Sequence, residues 1–200
     1  MKFVSHLDMN RFMTRLANKA KLPIWFTEGF NQHAYFNFAI PLTLGFEGEY
    51  EVLDVRVTDD GYSNDRLLND FNAVSVPDIE FYNASEPILK MKDITFAEYK
   101  IVFDSITDEI KEKIQSFFLQ KSIIVEKTAK KGNIKQMDIA QLVKKAVLSE
   151  NELTLILTAG NENNLNPTLV LGALFADEAE IPPYSVIRTM IYDKDLKPFV

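Results

Sequence analysis

Apolar residues recur along this chain with two different periods, which excludes both an all-α and an all-β fold. Met9, Phe12, Met13, Leu16, Ala17 and Ala20 follow i, i+3, i+4, i+7 spacing and predict an amphipathic helix over 5–20. Ser5 with Asp8 three residues on has the form of a capping box, and Pro23 stops the helix. Glu51 to Val57 instead alternates, as a half-buried strand does. Ile24–Phe26, Tyr35–Phe38 and Ile79–Tyr82 read as further strands, and Asn64–Phe71 as a short helix.

The second half repeats this succession. Glu98–Phe103, Ser122–Glu126, Glu152–Leu157 and Tyr184–Tyr192 read as strands. Thr107–Leu119 and Pro167–Phe175 read as helices, and Asp138–Leu148 as an added helix. The expectation is an α+β protein of two ferredoxin-like β-α-β-β-α-β modules in tandem. The first would span residues 1–88 and the second, with the added helix, 95–200. The first strand is the weak point, because only Lys2-Phe3-Val4 stand between Met1 and the capping serine. An incomplete strand leaves a sheet edge to be covered. The expectation is that chain upstream of Met1, or a second chain, covers it.

Two hundred residues, 46% of them hydrophobic, can build a proper core. No apolar run reaches membrane-spanning length and the start is not built like a signal peptide, so a cytoplasmic protein is expected. There is no cysteine, which removes disulfides, thiol nucleophiles and thiolate ligands for zinc or an iron–sulfur cluster. The net charge of −7 argues against indiscriminate binding of nucleic acid. Basic residues are nevertheless concentrated in two places. Lys2, Arg11, Arg15, Lys19 and Lys21 face only Asp8 and Glu28 in the first 46 residues; Lys127, Lys130, Lys131 and Lys135 surround Gly132. Such patches on an acidic body suit a selective anionic ligand, although exposed lysines also serve solubility alone.

Most of the polar chemistry lies between Ser5 and Gly45. Both histidines, His6 and His33, and the single tryptophan, Trp25, are there. His6 falls in the first helical turn, where a histidine can bind phosphate, act as an acid–base group, or simply bond a neighbouring carbonyl. Asp8 reads first as a capping acceptor. Arg11 and Arg15 have the fork geometry that clamps phosphate or carboxylate, while a surface ion pair with Asp8 is the plainer role for Arg11. Asn31 and His33 offer donors and acceptors on a loop behind Gly29. Tyr35 is the best candidate for an exposed ring that stacks on a base, whereas Phe26, Phe36 and Phe38 are expected in the core. His6, Asp8, Glu28 and His33 are the donors a nitrogen–oxygen metal site would use, but no ligand spacing supports one and no metal or cofactor is expected. Neither a G-x-S-x-G elbow nor a P-loop occurs.

The window as a whole carries a resemblance. Ser5-His6-Leu7-Asp8 with Arg11, then Glu28-Gly29-Phe30-Asn31-Gln32-His33 and Pro41-Leu42-Thr43-Leu44-Gly45, is similar to the opening of a bacterial domain of unknown function linked to radical-SAM proteins. Gln32, Ala34 and Thr43 stand where that family tends to have prolines. A chain without cysteine cannot hold a radical-SAM cluster, so the resemblance implies a companion of such an enzyme. The expected function is an accessory binding module for RNA or a phosphorylated ligand, acting with a radical-SAM partner. On this reading His6, Asp8, Arg11, Asn31, His33 and Tyr35 bind the ligand, and Arg15 and the Lys127–Lys135 cluster contact nucleic acid. The alternative is a metal-independent enzyme that cleaves RNA or a phosphate ester with His6 and His33 as acid and base.

Overall fold

The computed structural model describes residues 2–128, 134–160 and 164–199, with the backbone alone for 127, 128, 134 and 135. The elements are α1 (His6–Ala20), β1 (Phe36–Phe38), β2 (Glu47–Gly48), β3 (Leu53–Val55), α2 (Asn64–Val74), β4 (Phe96–Phe103), α3 (Asp108–Phe118), β5 (Ile124–Thr128), β6 (Ile134–Asp138), β7 (Val143–Ser149), β8 (Glu152–Thr158), α4 (Pro167–Leu174) and β9 (Tyr184–Tyr192). The protein is of the α+β class. It divides into two compact units, Met1–Glu47 with Glu51–Lys90, and Met91–Phe199 with Gly48–Tyr50.

In the first unit α1 begins because Ser5 Oγ accepts the Asp8 N–H and donates to the Asp8 carboxylate. It ends where Lys21 turns left-handed at φ 54° and hands its N–H to Ala17 and Asn18. Met13, Leu16 and Ala17 are buried on one stripe. They form a core with Leu22, Ile24, Ala34 and Phe71 of α2. A buried side chain of this size contributes roughly 1.5–3 kcal/mol, and that packing, more than helix propensity, holds a 15-residue helix in place. β1 and β3 pair antiparallel, Phe36 opposite Val55 and Phe38 opposite Leu53.

Three expected strands are absent here. Ile24–Phe26 is not a strand; it makes only two isolated bridges, Ile24 to Val57 and Phe26 to Ala34. Lys2–Val4 is not a strand; the Lys2 carbonyl accepts the Gly45 N–H and its ammonium pairs with Glu47. Ile79–Tyr82 is also not a strand. The Asn72 amide takes both the N–H and the carbonyl of Phe81, and Ser75 Oγ donates to the Ile79 carbonyl. Side chains of α2 thus use the backbone groups that a ladder would need. Phe81 meanwhile stacks on Phe71 with ring centroids 4.6 Å apart. The described order is therefore α1-β1-β2-β3-α2, so the first half is not a β-α-β-β-α-β module.

The second unit is built on a sheet with strand order β2-β9-β4-β8-β7, in which the β9–β4, β4–β8 and β8–β7 pairs are antiparallel. β4 alternates strictly, with Ala97, Tyr99, Ile101 and Phe103 buried. α3 starts at the Thr107 cap and α4 at the Asn166 cap with Pro167 in its first turn. They bury Ile114 and Phe117, and Val170, Leu171 and Leu174. β5 and β6 form a separate hairpin, closed at its base by Asp138, which accepts the N–H groups of Ile123 and Ala140 at 2.9 Å.

The expected added helix over Asp138–Leu148 is instead a 3₁₀ turn at Ala140–Leu142 followed by β7. The pairing of β7 with β8 slips between Val143 and Lys145. The bulge inserts one residue, so the half-buried positions fall at Val143, Ala146 and Leu148, and the first of these gaps imitates a helical step.

Candidate functional site

The sequence-predicted residues of the first unit fall mainly into two settings. One is the N-terminal turn of α1. Here Asp8 accepts from Ser5 Oγ at 2.7 Å and from the Arg11 guanidinium at 3.1 Å. These contacts, Ser5 first, hold the Asp8 carboxyl below the ordinary carboxylate value. Both partners of the Asp8–Arg11 pair are largely exposed, so the pair adds little stability and leaves Arg11 accessible. The His6 ring lies edge-on to Phe38, centroids 5.3 Å apart, with its Nε2 3.2 Å from the Asn10 amide nitrogen. Arg15 is exposed one turn beyond Arg11.

The other setting is the loop carrying Glu28-Gly29-Phe30-Asn31-Gln32-His33. Its two arms run antiparallel. Tyr35 N–H donates to the Trp25 carbonyl, Phe26 bridges Ala34, and Thr27 N–H donates to the His33 carbonyl. Thr27 Oγ1 accepts the His33 N–H and lies 3.1 Å from His33 Nδ1, which is also 3.1 Å from the Asn31 carbonyl. The loop turns at Gly29, whose φ of +115° is costly for any residue with a Cβ. The Phe30 ring at the tip is fully exposed. Thr27 and Asn31 together fix the His33 ring, so the polar groups of the motif organise the loop itself.

At the base of that loop lies a cluster the motifs only half announce. Tyr35, 37% exposed, meets Trp25 edge-to-face with centroids 5.8 Å apart. The Arg56 guanidinium sits over the Trp25 ring at 4.7 Å, a cation–π distance. The Trp25 N–H donates to the Arg56 carbonyl, so the backbone fixes the register of this pair. Trp25 and Tyr35 stand out in the sequence, whereas Arg56 does not. Its only trace is a charged residue at a polar position of an alternating strand. Phe26, expected in the core, is exposed instead, because its arm of the loop bridges Ala34 and leaves the ring outside.

Among the described residues no hydrogen bond, ion pair or ring contact joins His6, Arg11 and His33 to one another. No three His, Asp or Glu side chains among them converge as metal ligands would. Lys130 and Lys131 lie outside the described residues. Lys127 and Lys135 are backbone partners in the β5–β6 ladder. No helix among the described residues is long and apolar enough to cross a membrane.

Residues 1–167 match the model of the family described as "Uncharacterized protein conserved in bacteria (DUF2344)". The chain belongs to this family. The match includes both motif settings and ends at the first residue of α4. No curated protein matches the chain. Among solved structures it is similar to a chain of a crystal structure of a Cbf5–Nop10–Gar1 complex, with a TM-score of 0.45 and 12% identity over 96% of this chain. The DUF2344 chain spans 46% of that chain's length, and a likeness this loose carries no argument about either fold or activity.

Proposed function

We propose that this DUF2344 chain is an accessory binding module for single-stranded RNA, acting beside a radical-SAM protein. The observation that carries the RNA reading is the cluster of Trp25, Tyr35 and Arg56. It places an exposed ring, a second ring and a guanidinium together at the base of a loop rich in hydrogen-bonding groups. Unstacked bases are held by this combination, since every base offers a π-face and the phosphates offer charge. Arg11 and Arg15 supply further exposed positive charge in the same unit. The radical-SAM partner rests on the Ser5–Arg11 and Glu28–His33 motifs and on a chain that has no cysteine to hold a cluster of its own. In this reading β4-α3-β7-β8-α4-β9 is a ferredoxin-like module with the β5–β6 hairpin inserted.

The single tryptophan makes the test direct, because fluorescence excited selectively at tryptophan comes from the proposed site. Titration with unstructured oligouridylate at low salt is expected to quench Trp25 and raise the anisotropy of labelled RNA. Stacking is worth about 1–3 kcal/mol per base, so Tyr35→Ala is expected to weaken binding roughly 5- to 150-fold. Arg56→Ala is expected to weaken it and to flatten its salt dependence. Absence of both quenching and anisotropy change removes the RNA reading. Failure of a radical-SAM protein to co-purify with the chain from its native host removes the partner.

A further inference from the structure

We infer that the outer edge of β7 and the groove beside it dock an extended acidic peptide segment of a partner protein. This surface belongs to the second unit and is independent of the Trp25 site. β7 ends the strand order, so one side of its backbone has no ladder among the described residues. An open edge of this kind is a template for an added strand. Beside it, α3 and β7 enclose a groove of about 370 Å³. Ile114, Phe118, Leu119 and Leu148 give it an apolar lining, and Leu119 is exposed at its rim. Alternate side chains of an added strand require such a surface, because every second residue points to the same face.

Charge selects the occupant. Lys144 and Lys145 line the same groove, and neither has an ion-pair partner among the described residues. The chain as a whole is acidic, at −7, so this is a local inversion of its field. Lysines on an edge strand also deter unwanted pairing. Placed against an apolar groove, the same two charges reject basic strands and accept acidic ones. A segment that alternates apolar with acidic residues satisfies the ladder, the groove and the lysines together.

The experiment compares two labelled peptides of about ten residues, a length that suits one strand. One alternates valine with glutamate and the other valine with lysine. Anisotropy with the full chain is expected to show binding of the acidic peptide and roughly tenfold weaker or no binding of the basic one. Lys144→Glu/Lys145→Glu is expected to reverse that order while its circular dichroism stays that of the wild type. An acidic peptide N-methylated at alternate residues, which cannot complete a ladder, is expected to bind at least several-fold more weakly. Equal binding of both peptides or of neither, an unchanged preference in the charge-reversed variant, or full binding of the N-methylated peptide would overturn the proposal. So would oligouridylate binding that depends on these two lysines, or a dimer by light scattering that the acidic peptide does not dissociate.

Discussion

Gly160 and Gly172 are both glycines of the second unit, and adding the same methyl group to each should change stability in opposite directions. Gly160 has φ +107°, and a Cβ there would lie 2.6 Å from the backbone carbonyl oxygen of Ile94. Ile94 is buried, and the next residue, Thr95, is tied to the Gly160 side by a 2.8 Å bond from the Ala159 N–H. Neither segment can withdraw without breaking that bond. Holding a residue with a Cβ at such a φ costs about 1–3 kcal/mol, and forcing the backbones apart costs about 1–3 kcal/mol more. Gly160→Ala is therefore expected to lose roughly 2–6 kcal/mol, a large part of a stability of about 5–15 kcal/mol. Gly172 lies inside α4, and a Cβ there meets nothing within 4 Å. Gly172→Ala is expected to gain about 0.5–1 kcal/mol from helix propensity. The assay is urea unfolding followed by far-ultraviolet circular dichroism, because Trp25 belongs to the other unit. A loss under about 1 kcal/mol in Gly160→Ala, or a Gly172→Ala variant that is no more stable than the wild type, would refute the packing argument.

Asp8 has a folded-state pKa below its ordinary 3.8, so its stabilising effect is complete above that value and is lost as pH falls through the folded pKa. Ser5→Ala should move the Asp8 titration, followed by carboxyl NMR shifts, back toward 3.8; an unmoved midpoint would dismiss the hydroxyl as the cause. Asn72→Ala deletes two bonds to the Phe81 backbone and should cost about 1–3 kcal/mol. Amide exchange at Phe81 should then accelerate, and unchanged exchange would mean the Phe71–Phe81 stack alone holds the segment. Asp138→Ala should accelerate amide exchange at Ile123 and Ala140, the two donors it holds at the base of the hairpin. Protection that survives the substitution would assign the hairpin's closure to its ladder instead.

Local chemistry was legible in the sequence wherever a signal and its effect lie within a few residues. Ser5 with Asp8 marked the start of α1, because a cap acts within one turn, and the helices expected from Thr107 and from Pro167 begin within a residue of α3 and α4. Glu98–Phe103, read as a strand, lies within β4, whose neighbours bury every second residue. The α+β class followed from these periods. Tertiary structure decided the rest. Asp138–Leu148 carried an apolar spacing compatible with either period, and only pairing with β8, bulge included, made part of it a strand. Ile79–Tyr82 had strand composition, yet Asn72 and Ser75 claimed its backbone groups first. The candidate site divides in the same way. The motifs pointed to Trp25, the Gly29–His33 loop and Tyr35, which are close in sequence. The guanidinium of Arg56, 31 residues beyond Trp25, reaches that ring only because backbone pairing brings the two segments side by side. A sequence specifies which groups are available to such a site, whereas the distance between groups on different segments is set by how the segments pair and pack.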